Sequence, residues 1–402
     1  MVKEEWRGRA SGAVEGLLSE VASTQQVLGH NERIFSCRCS RVFEGKRKRD
    51  EEGASSFVLI ATGSEDKTVR LWRSEGLDRK IKLLHVLKAH DEECLSVSWS
   101  DDGKTLASCG ADNTVVLWSV DADALDDAPP RVAGRLVHKD HVYKAIFKTG
   151  SVIGCEGESD VLVTCSGNQI LFWGLDEVLR GAEGDGGGTG SQVLLTKTLD
   201  LRGTAYGGPR NPNKLVDVFD IAVDGNRIVA ACSDGTVRIL KFSSAETWEQ
   251  MIGPLNVPVS CLGWMRFGEK QKELVICCGD GTAHVIDILE SKEKGQIVSR
   301  YSWRAHRGTI FDCLAVGTML LTCSSDSSVK LWDTKAMMET GPSRSPEPKG
   351  LFEKKGYPFH SVDFVLLPGN SEEALFLAAG GQTGFFGTPW YVRTKPMCLK
   401  CI

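Results

Sequence analysis

The sequence predicts an all-β protein: a single seven-bladed β-propeller of four-stranded antiparallel blades, with a short N-terminal helix. Three observations predict it. One pattern recurs along the chain, as ATGSEDKTVRLW (61–72), ASCGADNTVVLW (107–118) and LTCSSDSSVKLW (321–332). Two related segments, AACSDGTVRILKF (230–242) and ICCGDGTAHVIDI (276–288), and a shortened VTCSGNQILFW ending at Trp173, keep its outline. The closing positions Trp72, Trp118, Trp173, Leu240, Ile286 and Trp332 are separated by 46, 55, 67, 46 and 46 residues. The recurring 46 is the length of one blade, and the longer gaps are blades carrying loop insertions.

Each unit reads as strand, tight polar turn, strand. The β-branched, alternating runs TVRLW, TVVLW and SVKLW suit strands. Between them SEDK, GADN, SSDS, SDG and GDG supply Asp, Asn and Gly, which tolerate turn backbone. A further apolar run precedes the full units, each opened by a histidine: GHNERIFSCRC, AHDEECLSVSW, VHKDHVYKAIF and AHRGTIFDCLA. These are predicted to be the innermost strands. The seventh unit is built from HSVDFVLL (360–367), LFLAAGG (375–381) and GFFGTPWYV. TQQVL (24–28) is placed to complete that last blade and close the ring; WYVRTKP completing it alone is the competing arrangement. The expected organisation is an N-terminal helical extension (1–23), a propeller (24–395) with units ending near 72, 118, 173, 240, 286, 332 and 390, and a tail (396–402).

At the motif level the chain resembles the WD40 repeat family, with GH or AH opening a unit and LW, once LWD, closing it. The likeness spans about residues 26–390 and is fullest in units one, two and six. The resemblance implies a buried hydrogen-bonded tetrad in each full unit: His30–Thr62–Asp66–Trp72, His90–Ser108–Asp112–Trp118 and His306–Thr322–Asp326–Trp332. Such a network has its own logic. A buried imidazole needs partners for both nitrogens, a buried carboxylate needs donors, and indole donates its N–H while filling core volume. Units four and five keep Asp234 and Asp280 but lose the Ser/Thr and Trp, and unit three is one residue short, with Asn168 at its turn. These three units are expected to rely on apolar packing.

Composition bounds the function. The 402 residues are 41% hydrophobic and 25% charged, with net charge −5, so no global basic field recruits nucleic acid or anionic membrane. No apolar run approaches the length of a membrane span. The first residues are acidic and lack an apolar core, so a signal peptide is not expected; Val14, Leu17, Leu18 and Val21 instead suggest an amphipathic helix. Cytoplasmic or nuclear residence follows, in a reducing compartment where the fourteen cysteines act mostly as small buried hydrophobes. The Cys398–Cys401 pair has no second pair to complete a metal or redox site, and Leu399 rules out a prenylation box. No metal and no cofactor are expected.

The Ser/Thr–His–Asp sets mimic a hydrolase triad, but they occur three times beside a burying Trp. The sequence holds no GxSxG elbow, no phosphate-binding GxxxxGK[ST] loop and no HExxH helix. GDGGGTG lies in a polar loop without the helix and lysine that a phosphate cradle needs, and His138 is the opening histidine of unit three. Binding is therefore expected: a non-catalytic scaffold for other proteins or peptides, within a multiprotein complex, with no small-molecule substrate. The candidate partner face comprises Asn31, Arg33, Glu65, Glu92, Ala111, Arg307 and Ser325, overhung by Tyr206, Arg210 and Asn211. Trp332–Asp333–Thr334–Lys335 approaches the WDxR box of ubiquitin-ligase substrate receptors, with Lys where that box has Arg. Accessory RNA binding is a further alternative, disfavoured by net acidity. The insertions EGKRKRDEEGASS (44–56), DADALDDAPP (121–130), DEVLRGAEGDGGGTGSQ (176–192), RGTAYGGPRNPNK (202–214) and KAMMETGPSRSPEPK (335–349) are predicted surface loops. Within the first, the Lys46–Arg49 run is a candidate nuclear-import or phosphate contact, offset by Asp50 to Glu52.

Overall fold

A computed structural model describes residues 25–44, 56–75, 81–88, 90–149, 160–175, 195–200, 216–224, 227–242, 247–252, 255–267, 271–286, 298–316, 319–340, 346–366, 373–380 and 385–393. Strand β1 (Gln25–Leu28) comes first and belongs to the last sheet. Blade one follows as β2 (Ile34–Glu44), β3 (Ser56–Ser64), β4 (Thr68–Glu75) and β5 (Ile81–Lys88). Blade two is β6 (Cys94–Trp99), β7 (Thr105–Gly110), β8 (Thr114–Ser119) and β9 (Arg131–Val137); blade three is β10 (Val142–Thr149), β11 (Asp160–Ser166), β12 (Gln169–Gly174) and β13 (Leu195–Asp200). Blade four comprises β14 (Val218–Asp224), β15 (Arg227–Cys232), β16 (Val237–Phe242) and β17 (Thr247–Ile252). Blade five comprises β18 (Val259–Phe267), β19 (Gln271–Cys278), β20 (Thr282–Ile286) and β21 (Ser299–Arg304). Blade six contains β22 (Ile310–Val316), β23 (Met319–Ser324), β24 (Ser328–Asp333) and β25 (Gly350–Glu353). The last sheet runs β26 (Phe359–Leu366), β27 (Glu373–Gly380), β28 (Phe385–Arg393) and then β1.

All seven sheets are four-stranded and antiparallel, and each innermost strand packs against the innermost strand of the next sheet, β26 returning to β2. The architecture is a closed β-propeller. In the last sheet β28 is the third strand and β1 the fourth, with Gln25 opposite Thr388 and Leu28 opposite Phe385. The blade is thus completed by β1 from the TQQVL segment, and β28, which holds Trp390 to Arg393, does not complete it alone.

Strand character follows position in the blade. The second strands are sandwiched between neighbouring blades and buried on both faces, so β7 (TLASCG) is buried throughout and β3 is buried from Val58 to Ser64. Their apolar partners lie across the seams: Leu59, Ala61 and Leu71 of blade one pack with Val97, Leu106 and Trp118 of blade two. Outer strands face water on one side. In β5 only Ile81 and Leu87 are buried, while Leu83 and Val86 stay exposed.

Three expectations need correction. The units ending at Trp72, Trp118, Trp173 and Trp332 stop at the third strand; a fourth, outer strand follows each, and the insertions after Trp118, Trp173 and Trp332 lie inside their blades. These outer strands are half-exposed and carry no shared motif, which left them out of the sequence pattern. Second, 335–349 is not loop throughout: α1 (Thr334–Thr340) begins there, capped by Asp333 Oδ1, which accepts the Ala336 N–H at 3.1 Å, and seats Met337 in the core. Third, Leu125 of the 121–130 insertion is buried in the seam cluster of blades one and two. The expected N-terminal helix, the Lys46–Arg49 run and the Cys398–Cys401 pair lie outside the described residues.

Candidate functional site

Three blades hold complete tetrads. In blade one Trp72 Nε1–H donates to Thr62 Oγ1 at 2.9 Å, the Thr62 hydroxyl meets His30 Nε2 at 2.8 Å, and His30 Nδ1 meets Asp66 at 2.9 Å. Blade two repeats this through Trp118, Ser108, His90 and Asp112 at 2.9, 2.8 and 3.0 Å. Blade six does so through Trp332, Thr322, His306 and Asp326 at 2.9, 2.8 and 3.1 Å. Burial lowers the pKa of all three imidazoles, so each is neutral near pH 7 with a single N–H. One assignment satisfies every group. Indole N–H donates to the hydroxyl, the hydroxyl to Nε2, and Nδ1–H to the carboxylate.

Each carboxylate also ties two loops together. Asp326 accepts the N–H of Arg307 in the lead-in loop at 2.9 Å and the N–H of Ser328 in the turn at 3.1 Å. Asp112 does the same with Asp91 and Thr114. The residue after the Asp then turns left-handed, at φ 68° for Lys67, 63° for Asn113 and 70° for Ser327. Blades four and five use Gly235 and Gly281 there, where a side chain would strike the carbonyls of Leu255 and His306. The hydroxyls of Thr62, Ser108 and Thr322 have 0% exposure. Sealed beneath indole rings, they cannot meet a substrate.

The incomplete units do more than pack apolar side chains. Blade three keeps His138 Nε2 to Thr164 Oγ1 at 2.9 Å and Trp173 Nε1–H to the same oxygen at 3.0 Å. It lacks the carboxylate, so His138 Nδ1 is buried without a partner and burial lowers its pKa to about 4. Blade four replaces the network with a buried pair, Arg238 to Asp234 at 3.1 Å. Blade five keeps Asp280 on the turn N–H of Thr282 at 3.0 Å. A polar side chain buried with a local partner is as stable a solution as an apolar one, and sequence spacing alone does not separate them.

The predicted partner face divides. Asn31, Arg33, Glu92, Arg307 and Ser325 are exposed, and Glu65 and Ala111 are half-buried, all on the lead-in loops and tight turns of one side of the ring. Arg33 and Glu65 grip each other through two hydrogen bonds, at 2.7 and 2.6 Å. Tyr206, Arg210 and Asn211 lie outside the described residues.

A more defined feature sits at the centre of that face. Every innermost strand has a one-residue register shift near its start: between Ile34 and Ser36, Cys94 and Ser96, Val142 and Lys144, Val218 and Asp220, Val259 and Cys261, Ile310 and Asp312, and Phe359 and Ser361. A bulge re-aims the residue it leaves unpaired. Here those residues are Phe35, Leu95, Tyr143, Phe219, Ser260, Phe311 and His360, and all seven line one funnel of about 370 Å³, counting its open mouth. Phe35 and Phe311 flank His360 with ring centroids at 5.3 and 4.5 Å, and Tyr143 meets Phe219 edge-on at 5.8 Å. Burial, then the Arg33 charge, lowers the His360 pKa to about 4, so the collar around it is neutral. Its sequence signal is a fixed offset: Phe35, Leu95, Tyr143 and Phe311 each follow an opening histidine by five residues.

At four of the seven bulges the next residue fastens the ring. Ser36, Asp220, Asp312 and Ser361 each accept a backbone N–H from the next blade, of Val97, Leu262, Val362 and Cys37, at 3.2, 2.8, 3.2 and 3.1 Å. Ion pairs add to this below the collar, Lys144 to Asp220 at 2.6 Å and Arg38 to Asp312 at 2.9 Å.

The family model described as "WD domain, G-beta repeat" matches residues 23–73, 81–119 and 297–333, the stretches that end on the three complete tetrads. The chain carries WD40 repeats. Relatives share the assignment, among them "WD repeat-containing protein WDS homolog" of Arabidopsis thaliana, 38% identical over 287 residues, 70% of this chain and 46% of that protein. "Protein HIRA" of Dictyostelium discoideum is 27% identical over 173 residues, 42% of this chain and 15% of its own length. "Probable cytosolic iron-sulfur protein assembly protein 1" of Candida glabrata is 36% identical over 69 residues, 16% of this chain and 20% of its own. The matched part of the WD40 chain spans less than half the length of each, and none of the three names is that of an enzyme. No helix among the described residues is long and apolar enough to cross a membrane.

Proposed function

We propose that this WD40 protein is a non-catalytic scaffold, a subunit of a multiprotein complex in the cytoplasm or nucleus, that docks a partner segment over the mouth of its central channel. The carrying observation is the collar. Seven bulges turn seven side chains out of the sheet and into one opening, five of them apolar or aromatic, with Phe311 38% exposed. Apolar surface presented by rigid backbone inside a polar rim is what a partner's side chain can desolvate at low ordering cost. The rim is polarised as well. On the lead-in loops of blades one to four Glu32, Asp91, Glu92, Glu93, Asp140 and Asp217 outnumber Arg33 and Lys139, and Arg307, Lys354 and Lys355 lie on those of blades six and seven. Such an arrangement orients a bound chain and makes its association sensitive to salt.

One relative named as an assembly protein is compatible with this reading without identifying the partner. The substrate-receptor alternative rests on Trp332 to Lys335 alone, and the Asp333 carboxylate it needs caps α1. Affinity capture of the full chain with crosslinking mass spectrometry is the test. Crosslinks are expected on the lead-in loops, and Phe311→Ala is expected to cut partner recovery about tenfold with an unchanged melting temperature. Crosslinks confined to the outer strands, or recovery untouched by Phe311→Ala, would remove this face from consideration.

A further inference from the structure

The seam between blades five and six carries a side-chain cluster that no other seam among the described residues has. Where Ser36, Asp220, Asp312 and Ser361 place an oxygen against the next blade, blade five places Cys261. Cys261 on β18 stands opposite Cys277 on β19, and Cys313 on β22 reaches them from blade six. The three Sγ atoms lie within 4.8 Å of one another, and all three residues are buried. The space beside them is kept open, because a Cβ on Gly263 would sit 3.3 Å from Cys313 Sγ. The remaining free cysteines among the described residues, Cys109 and Cys323 for example, join no group of three. Those are packing; this trio converges.

We propose that Cys261, Cys277 and Cys313 bind one soft, thiophilic metal ion of the monovalent copper class, in a three-coordinate all-sulfur site that ties blade five to blade six. The donor set selects the class. Three sulfurs with no carboxylate or imidazole among them exclude hard cations such as calcium and magnesium. A structural zinc ion takes four protein ligands, and among the described residues no fourth His, Cys, Asp or Glu joins the group. The adjacent hydroxyl is committed elsewhere, since Ser260 Oγ donates its one proton to the carbonyl of Ile310 at 2.6 Å, with that of Cys277 at 3.0 Å. A monovalent soft ion is satisfied by three sulfurs. Each ligating thiol gives its proton to solvent as its sulfur–metal bond forms. The ion then adds a second link between blades five and six to the Ser260 Oγ–Ile310 carbonyl contact. Because the site is sealed, loading accompanies folding.

The test is to produce the full chain in copper-supplemented culture, desalt it under reducing conditions and count metal by elemental mass spectrometry. About one copper per chain is expected, falling below about 0.1 in Cys277→Ser and unchanged in Cys109→Ser, whose sulfur lies in another seam. X-ray absorption on the unsubstituted protein is expected to show a shell of three sulfurs, a result that stands even if Cys277→Ser fails to fold. Copper no higher than in Cys277→Ser, a shell containing nitrogen or oxygen, or one zinc per chain in its place would overturn the assignment.

Discussion

His138 shows what one missing side chain does. In blades one, two and six a carboxylate takes the Nδ1–H of the opening histidine; in blade three that proton position is buried without a partner. With a folded pKa of about 4 against an ordinary 6.5, the unfolded chain binds the proton first. The stability this contributes is complete above pH 6.5 and is lost as pH falls towards 4. His360 behaves the same way, at about 4. On this basis His138 alone is expected to cost about 2 kcal/mol between pH 7.5 and pH 5. Urea unfolding at the two pH values measures it. A midpoint that does not move between them would contradict the buried neutral state. The pH response is expected to be shallower in His138→Asn.

At the scale of the strand, the bulge and the residue after it form a single device. The bulge aims one side chain at the mouth, and the next side chain reaches across to the neighbouring blade. Asp312 is the most heavily used of these, accepting from Arg38 at 2.9 Å, Ser361 at 2.9 Å and the Val362 N–H at 3.2 Å. Asp312→Ala leaves a largely buried guanidinium and two further donors without their acceptor, for an expected loss of about 3–5 kcal/mol. Asp126→Ala breaks an ion pair of similar length, 2.8 Å to Arg73, but Asp126 is 57% exposed. Its expected effect is within about 0.5 kcal/mol. Equal losses for the two substitutions in chemical denaturation would mean that the channel staples do not hold the ring.

For the whole molecule the decisive contact is β1 on β28. A propeller gains from closure because every blade then has two neighbours and the innermost strands form an unbroken ring. Removing the residues before Gly29 takes the fourth strand from the last blade and bares the backbone edge of β28. A lower melting temperature and concentration-dependent association in light scattering are expected. A truncated chain that stays monomeric with an unaltered melting temperature would show that closure does not depend on this strand.

The repeat and its networks were legible in the chain's residues alone. A His, a Ser/Thr, an Asp and a Trp at fixed offsets are chemically costly to bury singly, so their recurrence marks a mutually satisfied set, and the structure joins them at 2.8–3.1 Å. The outer strands were not legible, because one exposed face relaxes their composition to ordinary alternation, as in IKLLHVLK. Nor was the partial network of blade three, whose one-residue deletion hides Thr164 from the spacing rule although its distance to His138 is preserved. The collar was written at a constant offset, yet its direction comes from a register shift, which depends on the pairing of two strands and on no residue within either. The cysteine trio was decided by tertiary structure alone. Its members come from three strands and two blades, and only the packing of blade five against blade six brings their sulfurs together.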